Sequence, residues 1–515
     1  MATLANYFSK NSDSTAIIVP GSPPLTISYR QLSAEILSFQ HKLAALGISV
    51  SSAVSIALPN SYEFIIAFIA ASWQRGIAAP LNPAYKQSEF EFYISDLSSA
   101  VTLVPKGAVA RDDPAVRAAR KYQAAIAECY WDPSSQSVVL DVKEKGKLTG
   151  MGNATIEIAR PDDVALVLHT SGTTGRPKAV PLSHRNLTRT MKNIQQTYAL
   201  SPSDRTMLVM PLFHVHGLLA AFLAPLGSGG SAIVPTGGFS ASKFWNDYNT
   251  HGGTWYTAVP TMHQILLKHP LPSPKPNIRF IRSCSSPLSP KVFHELEAKF
   301  EAPVLEAYAM TEAAHQMTSN PLPPGSRRPG SVGVAQGVEL KILDQSGKEV
   351  PIGSEAEICI RGENVTSGYI NNDSANASSF TDGGFFRTGD QGRVDSEGYV
   401  TITGRIKELI NKGGEKISPV ELDNAIAQHE DVAEAVSFAV EDEHYGQDVG
   451  VAVVLKDGKK LEADVLRKWI AERIAKFKVP KKIYFTDVMP KTATGKVQRR
   501  MVSEIMMKKD GKAKL

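Results

Sequence analysis

Short apolar runs alternate with segments of helical periodicity along most of this chain, and that alternation restricts the fold more than any other feature of the sequence. Ser28 followed by Gln31 has the form of a capping box, and Leu32, Ile36, Phe39, Leu43 and Leu46 then recur at helical spacing until Gly47. A strand-like run at 53–58 comes next, then an apolar helix over 62–73, a strand at 76–79, a helix near 88–95 and a strand at 100–104. This rhythm predicts parallel strands with crossover helices. It resumes after a variable stretch at 106–159, with strands expected at 164–168, 207–210, 232–234, 255–259, 278–281 and 304–308. Several of these end where a Gly, Pro or polar cluster begins, and in open α/β sheets ligands bind at those carboxyl ends.

From about Val332 to Ile402 the spacing shortens to strands broken by Gly, Asp and Asn, the pattern of an antiparallel or barrel-like subdomain. Beyond Gly404 the strands at 435–440 and 449–455 are followed by a helix carrying Leu466, Trp469, Ile470 and Ile474 on one face. A domain boundary is expected at Gly404–Lys407, giving a large α/β domain over 1–404 and a small α+β domain over 408–515. A length of 515 residues requires more than one folding unit, and 43% hydrophobic with 21% charged residues is the balance of a globular chain. The densest apolar stretches, 64–71 and 218–226, fall short of the ~20 residues of a membrane span. Cys129, Cys284 and Cys359 form no CxxC pair, so neither a disulfide framework nor a zinc site is expected and the compartment reads as reducing.

Net charge is +5, but from Lys476 to Leu515 twelve Lys and Arg face three acids. A phosphorylated ligand, RNA and a solvated face are the three readings of such a run. Residues 1–20 carry neither a secretory signal nor an Arg-rich transit pattern. Ala513-Lys514-Leu515 is a conservative variant of the Ser-Lys-Leu peroxisomal address, so the expected location is the peroxisome, with the cytosol as the alternative.

The most specific segment is His169-Thr170-Ser171-Gly172-Thr173-Thr174-Gly175-Arg176-Pro177-Lys178, directly after the strand at 164–168. Its glycines let the backbone bend around an anion, Ser171, Thr173 and Thr174 add hydroxyl donors, and Lys178 adds a cation. It is not a P-loop: Pro177 precedes the lysine and Ala179-Val180-Pro181 follows, which is no helical start. The segment resembles the signature of the adenylate-forming superfamily, which includes acyl-CoA synthetases. Further motifs similar to that family's follow in order: Pro211-Leu212-Phe213-His214, Tyr308-Ala309-Met310-Thr311-Glu312, Arg387-Thr388-Gly389-Asp390, Gly404–Ile410, Gly413–Pro419 and Pro490–Lys496. His169, Ala179 and Ala309 depart from the family's usual residues, which implies altered pocket detail.

The resemblance implies an enzyme that turns a carboxylate into acyl-AMP with ATP and then passes the acyl group to a thiol. Carboxylate and α-phosphate are both anions, so cations and hydrogen-bond donors must gather where charge builds up. The implied parts are these: Ser171, Gly172, Thr173, Thr174, Gly175 and Lys178 hold phosphates, Thr311 contacts phosphate, and Glu312 holds Mg²⁺. Asp390 and Arg405 take the ribose, Tyr308 stacks on adenine, and Lys496 bridges the acid and the α-phosphate. Lys407 is the implied hinge, within 405–407, about which the small domain turns to bring Gly413 and Gly414 to the thiol's path. Coenzyme A is the expected thiol, with Lys476 and Lys478 (flanking Phe477, with Lys481 and Lys482 close by) as phosphate contacts.

A fatty-acyl pocket would be apolar. The corresponding segments here contain His214, His216, Arg282-Ser283-Cys284-Ser285-Ser286 and His315. Imidazoles and a hydroxyl can pair a second carboxylate that an apolar pocket would reject. Substrate contacts are therefore expected from His214, His216, Ser285 and His315, with His214 also a candidate catalytic group, whereas His184, His251 and His263 read as structural. These stretches are similar to those of plant oxalyl-CoA synthetases and fungal peroxisomal CoA synthetases, which implies oxalate. A medium-chain or aromatic acyl-CoA synthetase is the alternative within the class, and an RNA-binding protein retaining the fold is the alternative outside it.

Overall fold

The computed structural model describes residues 2–8, 10–149, 152–170, 176–491 and 497–512. Two large mixed sheets form its body. The first has seven strands in the order Ser137–Glu144, Ala125–Asp132, Val101–Val104, Ala53–Ile56, Ile77–Pro80, Val164–Thr170, Lys178–Ser183. The second has nine, in the order Val334–Ala335, His315–Ser319, Val304–Met310, Phe280–Ser283, Trp255–Ala258, Arg205–Met207, Ser231–Ile233, Thr15–Val19, Leu25–Ser28.

The centres of both sheets are parallel, as the alternation of strands and helices predicts. Their edges are antiparallel, which it does not. The reason is connection length. Only residues 311–314 separate Val304–Met310 from His315–Ser319, too few for a crossover, so the chain must turn back on itself. Within the variable stretch the structure holds a helix, Pro114–Lys121, and the hairpin Ala125–Asp132/Ser137–Glu144. The outer hairpin strand buries little of its length, so its sequence carries no clear apolar signal.

The helix Tyr29–Ala45 begins at the anticipated capping box: the Gln31 amide donates to the Ser28 hydroxyl, and the Ser28 amide donates to the Gln31 side chain at 2.9 Å. The helix Tyr62–Trp73 starts at Ser61 and is buried along nearly its whole surface, which accounts for its dense apolar sequence. His184 is a buried structural residue, accepting from the Leu4 amide through Nδ1 and bonded to the Ser72 carbonyl through Nε2. All three cysteines are free and buried, and among the described residues no helix is long and apolar enough to cross a membrane.

A four-stranded antiparallel sheet follows, Glu339–Leu343, Ala356–Arg361, Phe386–Val394, Val400–Arg405. After the single turn Ile406–Glu408 the chain enters a different sheet, built from Glu415–Ile417, Ile410–Lys412, Gly446–Leu455 and Val432–Asp442, with Lys482–Phe485 alongside Gly446–Leu455. The helix Ala463–Ala471 buries Leu466 and Ile470 against this sheet, and it ends before Ile474.

Candidate active site

The carboxyl ends of two central strands and the first residues after them carry Arg282, Ser285, Tyr308, Thr311 and Glu312 among the candidate groups. Lys178 opens the strand Lys178–Ser183, opposite Thr170 in the hairpin that contains the glycine-rich loop. Residues 171–175 of that loop lie outside the described residues, as do Lys496 and the tripeptide 513–515. Lys178 Nζ sits 4.5 Å from the centroid of the Tyr369 ring, and burial lowers its pKa while the nearby Glu312 carboxylate works against that. Tyr369 donates its hydroxyl to Glu312 Oε1 at 2.9 Å, so one aromatic side chain meets both an ammonium and a carboxylate.

Glu312 is 7% exposed and stands in the turn Thr311–Ala313 just beyond Val304–Met310. Burial pushes its carboxyl up, so a cation brought beside it would be held strongly. Among the described residues no group of three or more His, Cys, Asp or Glu converges as a metal cage. A single buried carboxylate fits Mg²⁺, which takes one or two protein carboxylates and completes its shell with phosphates and water.

Asp390 lies inside Phe386–Val394. Gly389, at φ +74°, turns the backbone just before it, a conformation natural to glycine, and donates its amide to Glu357 at 2.9 Å. The Asp390 carboxylate accepts from Tyr308 on one oxygen and pairs with Arg405 Nε at 3.0 Å on the other. The ring of Tyr308 is 7% exposed and its hydroxyl is committed to Asp390. Burial, and then the Asp390 charge, keep that phenol protonated. The Thr-Gly-Asp segment therefore forms a kinked strand with a fixed carboxylate rather than an ordinary surface turn.

The residues expected to contact the acid come together from four elements. His216 opens a π-helical segment, His216–Leu223, a wide turn that recurs at functional sites. Gly217 permits it, since a Cβ there would lie 2.2 Å from the Pro211 carbonyl oxygen. His216 Nδ1 is 3.0 Å from Ser285 Oγ, and its Nε2 is 2.6 Å from Thr257 Oγ1. His315 stacks on His216 with centroids 5.3 Å apart. His214 is half-buried and accepts the His216 amide at Nδ1, 3.3 Å away. Ser285, Ala314 and His315 have φ of 72°, 48° and 108°, so the backbone here occupies a region that residues with side chains rarely adopt.

Sequence reasoning named His214, His216, Ser285 and His315 but passed over a group bonded to two of them, His216 and His315. Arg282, at the end of Phe280–Ser283, is 0% exposed. It donates to Tyr198 at 2.7 Å, Thr257 at 3.2 Å, His315 at 3.1 Å and Gln316 at 3.2 Å, and Nη1 lies 3.4 Å from His216. Among the described residues none of its recorded partners is a carboxylate. The available signal was a charge at the carboxyl end of an apolar central strand.

The turn at Lys407 lies between the last two sheets and is solvent-exposed. Gly413 and Gly414 form a two-residue hairpin loop with φ of 58° and 97° between Ile410–Lys412 and Glu415–Ile417, a turn that needs positive φ at both positions. Lys476 is exposed, whereas Lys478 is held by both oxygens of Glu421 at 2.7 and 2.8 Å.

Residues 4–370 match the AMP-binding enzyme family and 421–496 the AMP-binding enzyme C-terminal domain; the chain belongs to this family. It is 46% identical over 520 residues to an oxalate–CoA ligase of Saccharomyces cerevisiae, covering 96% of this chain and 95% of that protein. It is 45% identical over 512 residues to an oxalate–CoA ligase of Arabidopsis thaliana, covering 98% of each. Among solved structures, ATP-bound MatB from Rhodopseudomonas palustris superposes with a TM-score of 0.87 at 32% identity over 98% of both chains.

Proposed function

We propose that this chain is an acid:CoA ligase that activates oxalate with ATP and passes the oxalyl group to coenzyme A. The observation that carries the substrate is the acid pocket: a buried guanidinium without a carboxylate partner among the described residues, flanked by two imidazoles, one of which meets the Ser285 hydroxyl. Such a pocket is costly beside an alkyl chain and favourable beside a second carboxylate. The relatives named as oxalate–CoA ligases, similar along nearly the whole chain, support the same reading.

In the first half-reaction a carboxylate oxygen attacks the α-phosphorus of ATP and pyrophosphate leaves. In the second the CoA thiolate attacks the acyl carbon and AMP leaves. Lys178 and the loop before it bind the triphosphate, and Asp390, aligned by Tyr308 and Arg405, receives the ribose hydroxyls. Glu312 would hold Mg²⁺, which when bound screens phosphate charge. Residues 1–404 would form the catalytic body, 405–407 the hinge and 408–515 a lid, with Gly413 and Gly414 on the thiol's path and Lys476 near the CoA phosphates.

The test is pyrophosphate release with oxalate, malonate, acetate, octanoate and coumarate, with and without CoA. Preferred turnover of oxalate supports the proposal, and preference for octanoate or coumarate overturns the substrate. Lys478, Lys481 and Lys491 already face Glu421, Asp442 and Glu434, which weakens the basic tail as an RNA surface. The tripeptide Ala513-Lys514-Leu515 would direct the enzyme to the peroxisome through the import receptor. A fluorescent fusion that stays punctate after those three residues are deleted would refute that address.

A further inference from the structure

Arg282 is buried and its Nε, Nη1 and Nη2 are all engaged with Tyr198, Thr257, His216, His315 and Gln316, so it acts on the acid pocket through those neighbours. A guanidinium donates and never accepts. Its Nη2 lies 3.1 Å from His315 Nε2, so that nitrogen presents its lone pair and the ring proton belongs on Nδ1. His315 Nδ1 is buried and has no hydrogen-bond partner among the described residues. On the other side, Thr257 Oγ1 accepts from Arg282 Nη1 at 3.2 Å and keeps a proton that it can give to His216 Nε2, 2.6 Å away. Arg282 Nη1 approaches the same Nε2 at 3.4 Å. The proton of His216 is thereby placed on Nδ1, facing Ser285 Oγ at 3.0 Å, and the half-buried Ser285 hydroxyl is freed to donate onward.

We propose that Arg282 is a positioning residue that fixes His216 and His315 as neutral, Nδ1-protonated imidazoles, so that the His315 Nδ1–H and the Ser285 hydroxyl present paired donors to the second carboxylate of a small dianionic acid. The inference rests on the oxalate reading for its ligand, but the tautomers do not. The permanent cation lies behind the imidazoles, and the groups facing the two rings, Arg282, His214 and His263 together with each other, all oppose a proton there. Burial acts in the same direction. The pocket therefore keeps its donor pattern across neutral pH instead of switching with it.

The direct test is a two-bond proton–nitrogen correlation spectrum of the full-length protein labelled with ¹⁵N-histidine, with signals assigned through His216→Gln and His315→Gln. Both rings are expected as neutral Nδ1–H tautomers between about pH 6 and 8. An Nε2–H tautomer or an imidazolium for either ring at neutral pH overturns the proposal, and this reading needs no variant of Arg282. With Arg282→Gln the KM for oxalate should rise at least about tenfold while the KM for ATP stays within about twofold, and an acid limb should appear in the oxalate profile. Unchanged tautomers and oxalate KM in that variant would also overturn it. If the tautomers are as stated and oxalate is not turned over, the substrate assignment fails and the positioning role stands.

Discussion

At the scale of single residues, the decisive side chains hold other side chains. Tyr369 orients the Glu312 carboxylate through one hydrogen bond and lies under the Lys178 ammonium. Tyr369→Phe keeps the ring and deletes only the hydroxyl. A hydrogen bond to a buried charge is worth about 1.5–3 kcal/mol, so adenylation measured by pyrophosphate release should fall by about 10- to 100-fold. The Mg²⁺ concentration for half-maximal rate should rise, and a variant with an unchanged Mg²⁺ requirement would remove Tyr369 from the metal site. Glu306, on the strand that leads to Tyr308, gives a stability counterpart. It is 4% exposed, accepts the Gly330 amide at 3.0 Å, and burial pushes its carboxyl up from 4.5 to about 8. Between those values the folded chain keeps a proton that the unfolded chain releases, so this group's contribution to stability declines as pH rises and is gone above about 8. Glu306→Gln should therefore melt about 1–3 °C above the parent near pH 8.5 and show little advantage near pH 5. Parallel melting curves across that range would show that Glu306 is ionised in the folded protein.

At the scale of elements, local signals were legible and cooperative ones were not. The helix Tyr62–Trp73 and the capped helix Tyr29–Ala45 follow from spacing and caps, which involve only near neighbours in sequence. The antiparallel sheet edges depend on connection length, and the hairpin Ala125–Asp132/Ser137–Glu144 has too wet a face to write an apolar pattern. In the site, the histidines and Ser285 could be read from their polar setting. Arg282 could not be assigned, because its meaning comes from partners on four separate elements. The π-helical segment His216–Leu223 was hidden for a similar reason: its sequence is simply apolar, and its wide turn is set by the carbonyls that Gly217 approaches. Gly217→Ala places a methyl group 2.2 Å from the Pro211 oxygen and 2.7 Å from the Met210 oxygen, so the backbone must move and His216 with it. The expected result is a lower melting temperature together with a rise in oxalate KM of about tenfold or more. Gly414→Ala is the control: its φ of 97° strains a side chain, but no atom lies within 4 Å, so the acid KM should hold. Equal effects on oxalate KM from both variants would refute a local role for the segment.

At the scale of the whole molecule, the groups proposed for the reaction are divided between two parts of the chain. Lys178, Glu312, Asp390 and Arg282 belong to the sheets before Arg405, whereas Lys496 follows the sheet that begins after the turn Ile406–Glu408. Its flanking residues Lys491 and Val497 pair with each other, and Lys491 is tied to Glu434 at 2.9 Å. The two half-reactions make different electrostatic demands. Forming acyl-AMP drives a carboxylate onto a phosphate, and a cation between the two is most valuable as charge concentrates there. Thiol attack on acyl-AMP expels a stable phosphate monoester and has no such need for the same ammonium. Lys496→Ala should therefore lower pyrophosphate release from ATP and oxalate by roughly 10²–10³-fold, the scale on which losing one preorganised donor acts. Thioester formation from synthetic oxalyl-AMP and CoA should stay within about threefold of the parent enzyme, because nothing removed by the substitution stabilises that transition state. Equal loss in both assays would mean that a single arrangement of the chain serves both steps, and the turn at 406–408 would then be a connection without a role in catalysis.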